Sequence, residues 1–122
     1  MRLKTFLFLS IALLVISAGC ISGNITGNSA EKKDALSKCL TEKGAKMYGA
    51  YWCQHCQNQK NDFGNAFQYI DYVECDANGP NGNPTACELA GIQGYPTWII
   101  GGAKYSGEQD LSTLAQIAGC EY

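Results

Sequence analysis

Two cysteines separated by two residues, Cys53 and Cys56, stand where a mostly apolar run, residues 45–51, meets a polar segment with good helix formers. No other stretch constrains the chain as much. Cysteines at that spacing can close a disulfide across the first turn of a helix, where unpaired backbone N–H groups and the helix dipole favour a thiolate on the outer sulfur. The pattern therefore reads as a redox-active dithiol, with Cys53 the nucleophile and Cys56 its resolving partner. Half of a zinc site and an inert structural bridge are the competing readings.

The 122 residues leave room for one domain once a targeting segment is set aside. Residues 1–19 have the layout of a secretory signal: Arg2 and Lys4 at the front, an apolar stretch over 6–16 broken only by Ser10, then Ser17, Ala18 and Gly19 before Cys20. That stretch is short for a membrane span. Small residues directly before a cysteine resemble a lipoprotein signal, whose cleavage leaves Cys20 as a lipid-modified N-terminus and anchors the chain to the outer face of a membrane. Ser17 departs from the aliphatic residue usual three positions before that cysteine. Ordinary cleavage nearby and an uncleaved anchor are the alternatives, and all three put the remainder outside the cytoplasm. Residues 20–30 are rich in Ser, Gly, Asn and Thr and read as a flexible tether. The tether contains a glycosylation pattern at Asn24, Ile25 and Thr26.

Without residues 1–19, seven basic side chains face eleven acidic ones, a net charge of about −4. No basic patch points to nucleic acid. Seven cysteines are many for so short a chain, and disulfides persist in exported compartments. With Cys20 lipidated, six remain, Cys39, Cys53, Cys56, Cys75, Cys87 and Cys120, an even number that permits three disulfides.

The periodicity predicts a helix over 31–43, capped by Ser29, with Ala35, Leu36, Cys39 and Leu40 on one face and Gly44 at the stop. Residues 45–51 read as a buried strand. A helix over 53–69 follows, with Phe63, Phe67 and Ile70 on its core face and Gly64 marking a bend. A strand over 72–75, a loop over 76–83 and a short helix to Ala90, capped by Asn83 with Pro84 at its first position, come next. Trp98, Ile99 and Ile100 and residues 103–106 flank Gly101 and Gly102, the signal for a hairpin. A last helix over 110–118 turns Leu111, Leu114, Ala115 and Ala118 inward and ends at Gly119. A strand–helix–strand crossover followed by a hairpin predicts an α/β fold, a mixed four-stranded sheet with helices on both faces.

At this point the sequence resembles the thioredoxin-like family. Trp52 before Cys53, the two-residue gap to Cys56, the helix after it, and Gly94, Tyr95, Pro96 and Thr97 before a hairpin match its pattern in order. More narrowly, residues 46–60, then Val73, Glu74, Cys75 and Asp76, then Tyr95 through Trp98, look like the thioredoxin-like domain found fused to, or beside, vitamin K epoxide reductase homologues. That family passes electrons from folding exported proteins to a membrane quinone reductase. No catalytic membrane domain accompanies these motifs here, so such a partner is expected to be separate. The resemblance makes 31–122 one thioredoxin-like domain and implies that Pro96 is cis, facing Cys53, with the Tyr95 backbone pairing with an extended substrate segment. It also implies departures. The buried acid of reducing thioredoxins, five residues before the Trp, corresponds to Met47, and the intervening pair is Gln54 and His55. His55, the only histidine, can stabilise a thiolate on Cys53 by charge or hydrogen bonding. A stabilised thiolate makes the disulfide more oxidising.

In that topology the two parallel strands both point at the dithiol end. Cys75 ends there and Cys87 opens the helix that begins there, which pairs them. Cys39 and Cys120 pair by elimination, although the first and last helices usually cover opposite faces in this fold, so that bridge needs the tail to wrap round the sheet. The expectation is an exported, tethered thiol-disulfide oxidoreductase that oxidises or isomerises disulfides in exported proteins, with no soluble cofactor. An extracytoplasmic reductase and a non-catalytic metal-binding lipoprotein are the alternatives. The second lacks the further His or CxxC that a closed zinc site would want.

Overall fold

The computed structural model describes residues 28–122. The expected signal, the lipidation site Cys20, the Asn24 pattern and most of the tether lie outside the described residues. Helix α1 runs Ser29–Glu42 and is capped by Asn28, whose side chain accepts from the Ala30 N–H. Ser29 is therefore not the cap but the first helical residue, and the helix takes in Ser29 and Ala30 from the segment expected to be tether.

Strand β1 (Lys46–Gly49) leads to α2 (Gln54–Phe63), a 3-10 helix (Gly64–Tyr69) and β2 (Tyr72–Glu74). The single helix expected over 53–69 is thus two. Gly64 takes φ +60°, which carries the chain out of the α conformation at low cost only for glycine. Helix α3 (Pro84–Leu89) is capped by the Asn83 side chain on the Ala86 N–H, with Pro84 at the head where its missing N–H costs nothing. Strands β3 (Thr97–Ile100) and β4 (Ala103–Ser106) are joined through Gly101 and Gly102, both at positive φ, as a tight hairpin turn requires. Helix α4 (Leu111–Ala118) closes the chain.

The sheet order is β2-β1-β3-β4. Strands β1 and β2 are parallel, with Met47 opposite Tyr72 and Gly49 opposite Glu74; β3 is antiparallel to both β1 and β4. The period of two divides the strands between two faces. Met47, Trp98 and Ile100 enter the main core with Leu36 and Leu40 of α1, Phe63 of α2, and Leu111, Leu114 and Ala115 of α4. Each such large side chain contributes roughly 1.5–3 kcal/mol by leaving water. Tyr48, Cys75 and Cys87 form a smaller cluster on the other face, packed with Val73, Ile92 and Ile99. Helices do cover both faces, but α1 and α4 share one. This corrects the expectation that they lie on opposite faces, because Leu36, Leu40 and Leu114, all with no exposed surface, need the same sheet side. No wrapping of the tail is required: Cys39 and Cys120 are bonded at a Cα–Cα distance of 6.1 Å. Among the described residues, no helix is long and apolar enough to cross a membrane.

Candidate active site

Strand β1 ends at Gly49 and the chain turns through Tyr51 and Trp52, with the Cys53 N–H closing on the Ala50 carbonyl at 3.0 Å. Cys53 then occupies the N-cap of α2 with extended backbone, and its sulfur accepts the Cys56 N–H at 3.2 Å. A cap normally uses a hydroxyl or carboxylate oxygen; here a sulfur takes that place at the head of the helix. The two thiols are not bonded to each other, and both are buried, Cys56 completely. Burial, and then the hydrogen bond with Cys53, push the Cys56 thiol up to about 12. The pair is therefore unequal: Cys53 can be approached at the helix head, and Cys56 is a protonated thiol behind it.

Trp52, next to Cys53 in the chain, is 60% exposed. Its indole N–H donates to Asp76 Oδ2 at 2.7 Å, and its ring meets the Tyr95 ring edge-on at 6.0 Å. The Asn78 backbone N–H and then the Trp52 indole hold the Asp76 carboxyl below its ordinary range. Tyr95 precedes a cis bond to Pro96, which is buried, while the Pro96 carbonyl accepts from the Gly107 N–H at 2.7 Å. The loop before β3 is thereby brought beside Trp52.

His55 is paired with the loop between β4 and α4. Its Nδ1 lies 2.6 Å from Glu108 Oε1, and the Asn58 side-chain amide donates to the same oxygen at 3.0 Å. These two contacts, His55 first, hold the Glu108 carboxyl below the usual carboxylate range. Gln54 donates to Asn58 at 3.0 Å, one helical turn on. Among the described residues neither Gln54 nor His55 hydrogen-bonds to Cys53.

Behind Cys56 lies Glu74, 4% exposed at the end of β2. Its Oε1 accepts the backbone N–H groups of Tyr51 and Asp76 at 3.2 and 3.0 Å, and its Oε2 accepts the Tyr72 hydroxyl at 2.9 Å. Burial, and then that hydrogen bond, raise the Tyr72 phenol well above its ordinary value. The Lys60 ammonium sits 4.0 Å from the centre of the Tyr72 ring.

Cys75 and Cys87 are bonded at a Cα–Cα distance of 5.7 Å, between the end of β2 and helix α3. Among the described residues, no group of three or more His, Cys, Asp or Glu side chains is placed to hold a metal ion. Four residues near this site were given no role in it from the sequence: Glu74 and Asp76, named only for the resemblance, and Tyr72 and Glu108. Glu74 had a readable signal, an acid beside apolar strand residues and, in parallel register, opposite a glycine. Glu108 had none, since 53 residues separate it from His55.

No family model matches the chain. It is 44% identical over 99 residues to the thiol-disulfide oxidoreductase LTO1 of Arabidopsis thaliana, an alignment that takes in 78% of this chain. The chain spans about a quarter of that relative's length, 26%. With a mixed sheet in the order β2-β1-β3-β4 and a dithiol at the head of the helix that follows β1, the chain has the thioredoxin-like arrangement, and the likeness to this relative supports a thioredoxin-like domain of the kind associated with vitamin K epoxide reductase homologues.

Proposed function

We propose that this chain is an exported, membrane-tethered thiol-disulfide oxidoreductase that oxidises or isomerises disulfides in exported proteins through Cys53 and Cys56. The observation that carries this reading is the inequality of the two sulfurs: one caps α2 and accepts an N–H, and the other is wholly buried. A substrate thiolate attacks Cys53 of the disulfide form, the bond between the two cysteines breaks, and Cys56 leaves and is protonated. A second substrate thiolate then attacks the substrate sulfur bonded to Cys53. The substrate departs with a disulfide and the protein holds two thiols. The N–H that the Cys53 sulfur accepts at the head of α2 supports the dithiol product, which is the direction of an oxidant. Trp52, Tyr95 and Pro96 form the wall along which an extended substrate segment lies. His55, held by Glu108 on the exposed rim, and Gln54 tune the potential of Cys53 from outside.

Export is supported by two disulfides in so small a domain, which an oxidising compartment maintains. Residues 1–19 act as the signal, and lipid on Cys20 keeps the domain at a membrane surface, where it meets a membrane partner at raised effective concentration. That partner is a vitamin K epoxide reductase-like protein, which reoxidises the dithiol; the likeness to LTO1 supports the link.

Trapping tests the proposal. A Cys56→Ala variant expressed with its leader holds mixed disulfides on Cys53, and exported proteins together with a quinone-reducing membrane protein are the expected captures. A trap that holds no protein on Cys53 overturns the exchange reading. Titration against glutathione tests direction: a potential near that of thioredoxin, about −270 mV, would make the chain a reductase instead.

A further inference from the structure

His55 stands in the first turn of α2, the turn that Cys53 caps, and its side chain is 73% exposed there. One side of the ring is nevertheless fixed. Glu108 Oε1 accepts the Asn58 side-chain amide at 3.0 Å and lies 2.6 Å from His55 Nδ1. The two contacts hold the Glu108 carboxyl below the usual carboxylate range, so at neutral pH it is ionised and can only accept. The short contact therefore requires the proton on Nδ1. Because the hydrogen bond of one ring nitrogen decides the state of the other, a neutral His55 carries its lone pair on Nε2. Among the described residues Nε2 has no hydrogen-bond partner. The carboxylate is itself firmly placed, since its neighbours Gly107 and Gln109 are tied to the Pro96 carbonyl and to the buried Gln59. A carboxylate on one imidazole nitrogen and a bare lone pair on the other is the arrangement that makes histidine a general base.

We infer that Glu108 and His55 form a dyad in which Nε2 takes the proton of a substrate thiol as its sulfur attacks Cys53 of the disulfide form. The inference rests on Cys53 and Cys56 being the exchanging pair. Disulfides are attacked by thiolates, whereas a cysteine of ordinary pKa, about 8.5, is mostly protonated at neutral pH. A base beside Cys53 thus removes an obstacle that lies in the substrate and not in the protein. In the first step the thiol proton passes to Nε2 and the substrate sulfur bonds to Cys53. The bond between Cys53 and Cys56 breaks, and its electron pair leaves on Cys56, which takes a proton from water. The exposed imidazolium then gives its proton to water. In the second step another substrate thiol loses its proton to Nε2 and attacks the substrate sulfur bonded to Cys53, and Cys53 leaves with the electron pair. His55 is a catalytic residue in this scheme, and Glu108, acting through it, is a positioning residue. The substrates that gain most are alkyl thiols of ordinary pKa.

The test uses the full domain in its disulfide form, with both structural bridges intact, and two uncharged thiols as probes. One is 2-mercaptoethanol, mostly protonated at mildly alkaline pH; the other is trifluoroethanethiol, whose fluorines leave it largely ionised there. Opening of the Cys53–Cys56 disulfide is followed by quenching with a maleimide and weighing the peptide that holds both cysteines. The readout is the ratio of the two rate constants, mercaptoethanol over trifluoroethanethiol, at one pH. A change of fold or of redox potential acts on the disulfide and moves both rates together, whereas loss of the base slows the protonated thiol alone. In His55→Ala the ratio is expected to fall by about tenfold or more. In Glu108→Gln it falls in the same direction, and in the double variant Glu108→Gln adds nothing to the loss. A wild-type ratio in His55→Ala overturns the base. A wild-type ratio in Glu108→Gln, or a loss that adds in full to that of His55→Ala, overturns the dyad. If neither thiol opens the wild-type disulfide, the exchanging pair itself is refuted, and the dyad with it.

Discussion

Gln59 is the buried polar residue whose replacement the structure prices most directly. It has no exposed surface, and its side-chain amide makes three hydrogen bonds: its Oε1 accepts the Trp98 indole N–H at 3.1 Å and the Gln109 N–H at 2.8 Å, and its Nε2 donates to the Gln109 carbonyl at 2.9 Å. Gln59→Met keeps length and volume and removes all three bonds. The orphaned Trp98 N–H is wholly buried and carries the full penalty, about 1–3 kcal/mol. Gln109 is half-buried, so water recovers part of its two bonds, and the apolar methionine offsets a further part. The expected net loss is about 2–3 kcal/mol, a large share of the 5–15 kcal/mol typical of a domain. Urea unfolding with both disulfides intact measures it as a lower midpoint at unchanged slope. A cycle with Trp98→Phe isolates the indole: in that background Gln59→Met should cost less by about 1 kcal/mol or more. A loss under about 1 kcal/mol, or equal losses in both backgrounds, would refute the reasoning. The consequence reaches the site, because Asn58 and Gln59 together hold residues 108 and 109 against α2.

Ser37 is buried on α1 with an unpartnered hydroxyl, so Ser37→Ala should raise stability by about 1 kcal/mol, and a urea midpoint below that of the wild type would contradict this. The two bridges differ in loop length, with separations of 81 and 12 residues. On chain-entropy grounds removing the pair at Cys39 and Cys120 costs about 4.5 kcal/mol and removing that at Cys75 and Cys87 about 3 kcal/mol, a ranking that the same assay on the two double-alanine variants checks. Glu108 and Asp76 are both depressed in the folded state, Glu108 chiefly by His55 and Asp76 chiefly by the Asn78 N–H. Their contribution is complete above the ordinary carboxyl range, roughly pH 4, and is lost as pH falls through the folded values. Glu108→Gln with Asp76→Asn should therefore flatten the acid limb of a stability–pH curve and leave its slope above neutrality unchanged.

The fold was legible where local chemistry and periodicity agree. Asn83 with Pro84, the Gly101 and Gly102 pair, and the inward stripe of α4 each name an element by a backbone requirement that few other residues meet. The bend at Gly64 was visible, but not its completeness, because whether a glycine kinks a helix or ends it depends on what the following residues pack against. Ala66 and Phe67 meet the core in the 3-10 turn rather than along a continued α-helix. The shared face of α1 and α4 was not legible, since each stripe says only that a helix has an inner side. Which side of the sheet it covers is decided by the crossing of the chain between α1 and β1. The dithiol at the head of α2 could be read directly, and the orientation of His55 could not, because its partner comes from a distant loop.

Met47 shows why reading a site position by position misleads. One expected location for a buried acid holds a methionine, and taken alone this argues for a site without a proton acceptor. Parallel pairing of β1 with β2 places Glu74 opposite Gly49, on the same sheet face as Met47 and two residue pairs nearer the dithiol. The carboxylate is then supplied by the neighbouring strand. Its approach depends on Gly49 having no side chain, on Tyr72 standing two residues earlier on the same face, and on Gly79, where a Cβ would come within 2.6 Å of the Glu74 side chain. The acid, the phenol and two glycines form one steric unit, and its members lie on two strands and a loop. Alanine at Gly79 would displace the carboxylate, and alanine at Gly49 would press on both the phenol and Cys56 Sγ. Gly49→Ala and Gly79→Ala should therefore each destabilise the fold by about 1–3 kcal/mol, measured as lower urea midpoints, and midpoints equal to that of the wild type would contradict the steric unit.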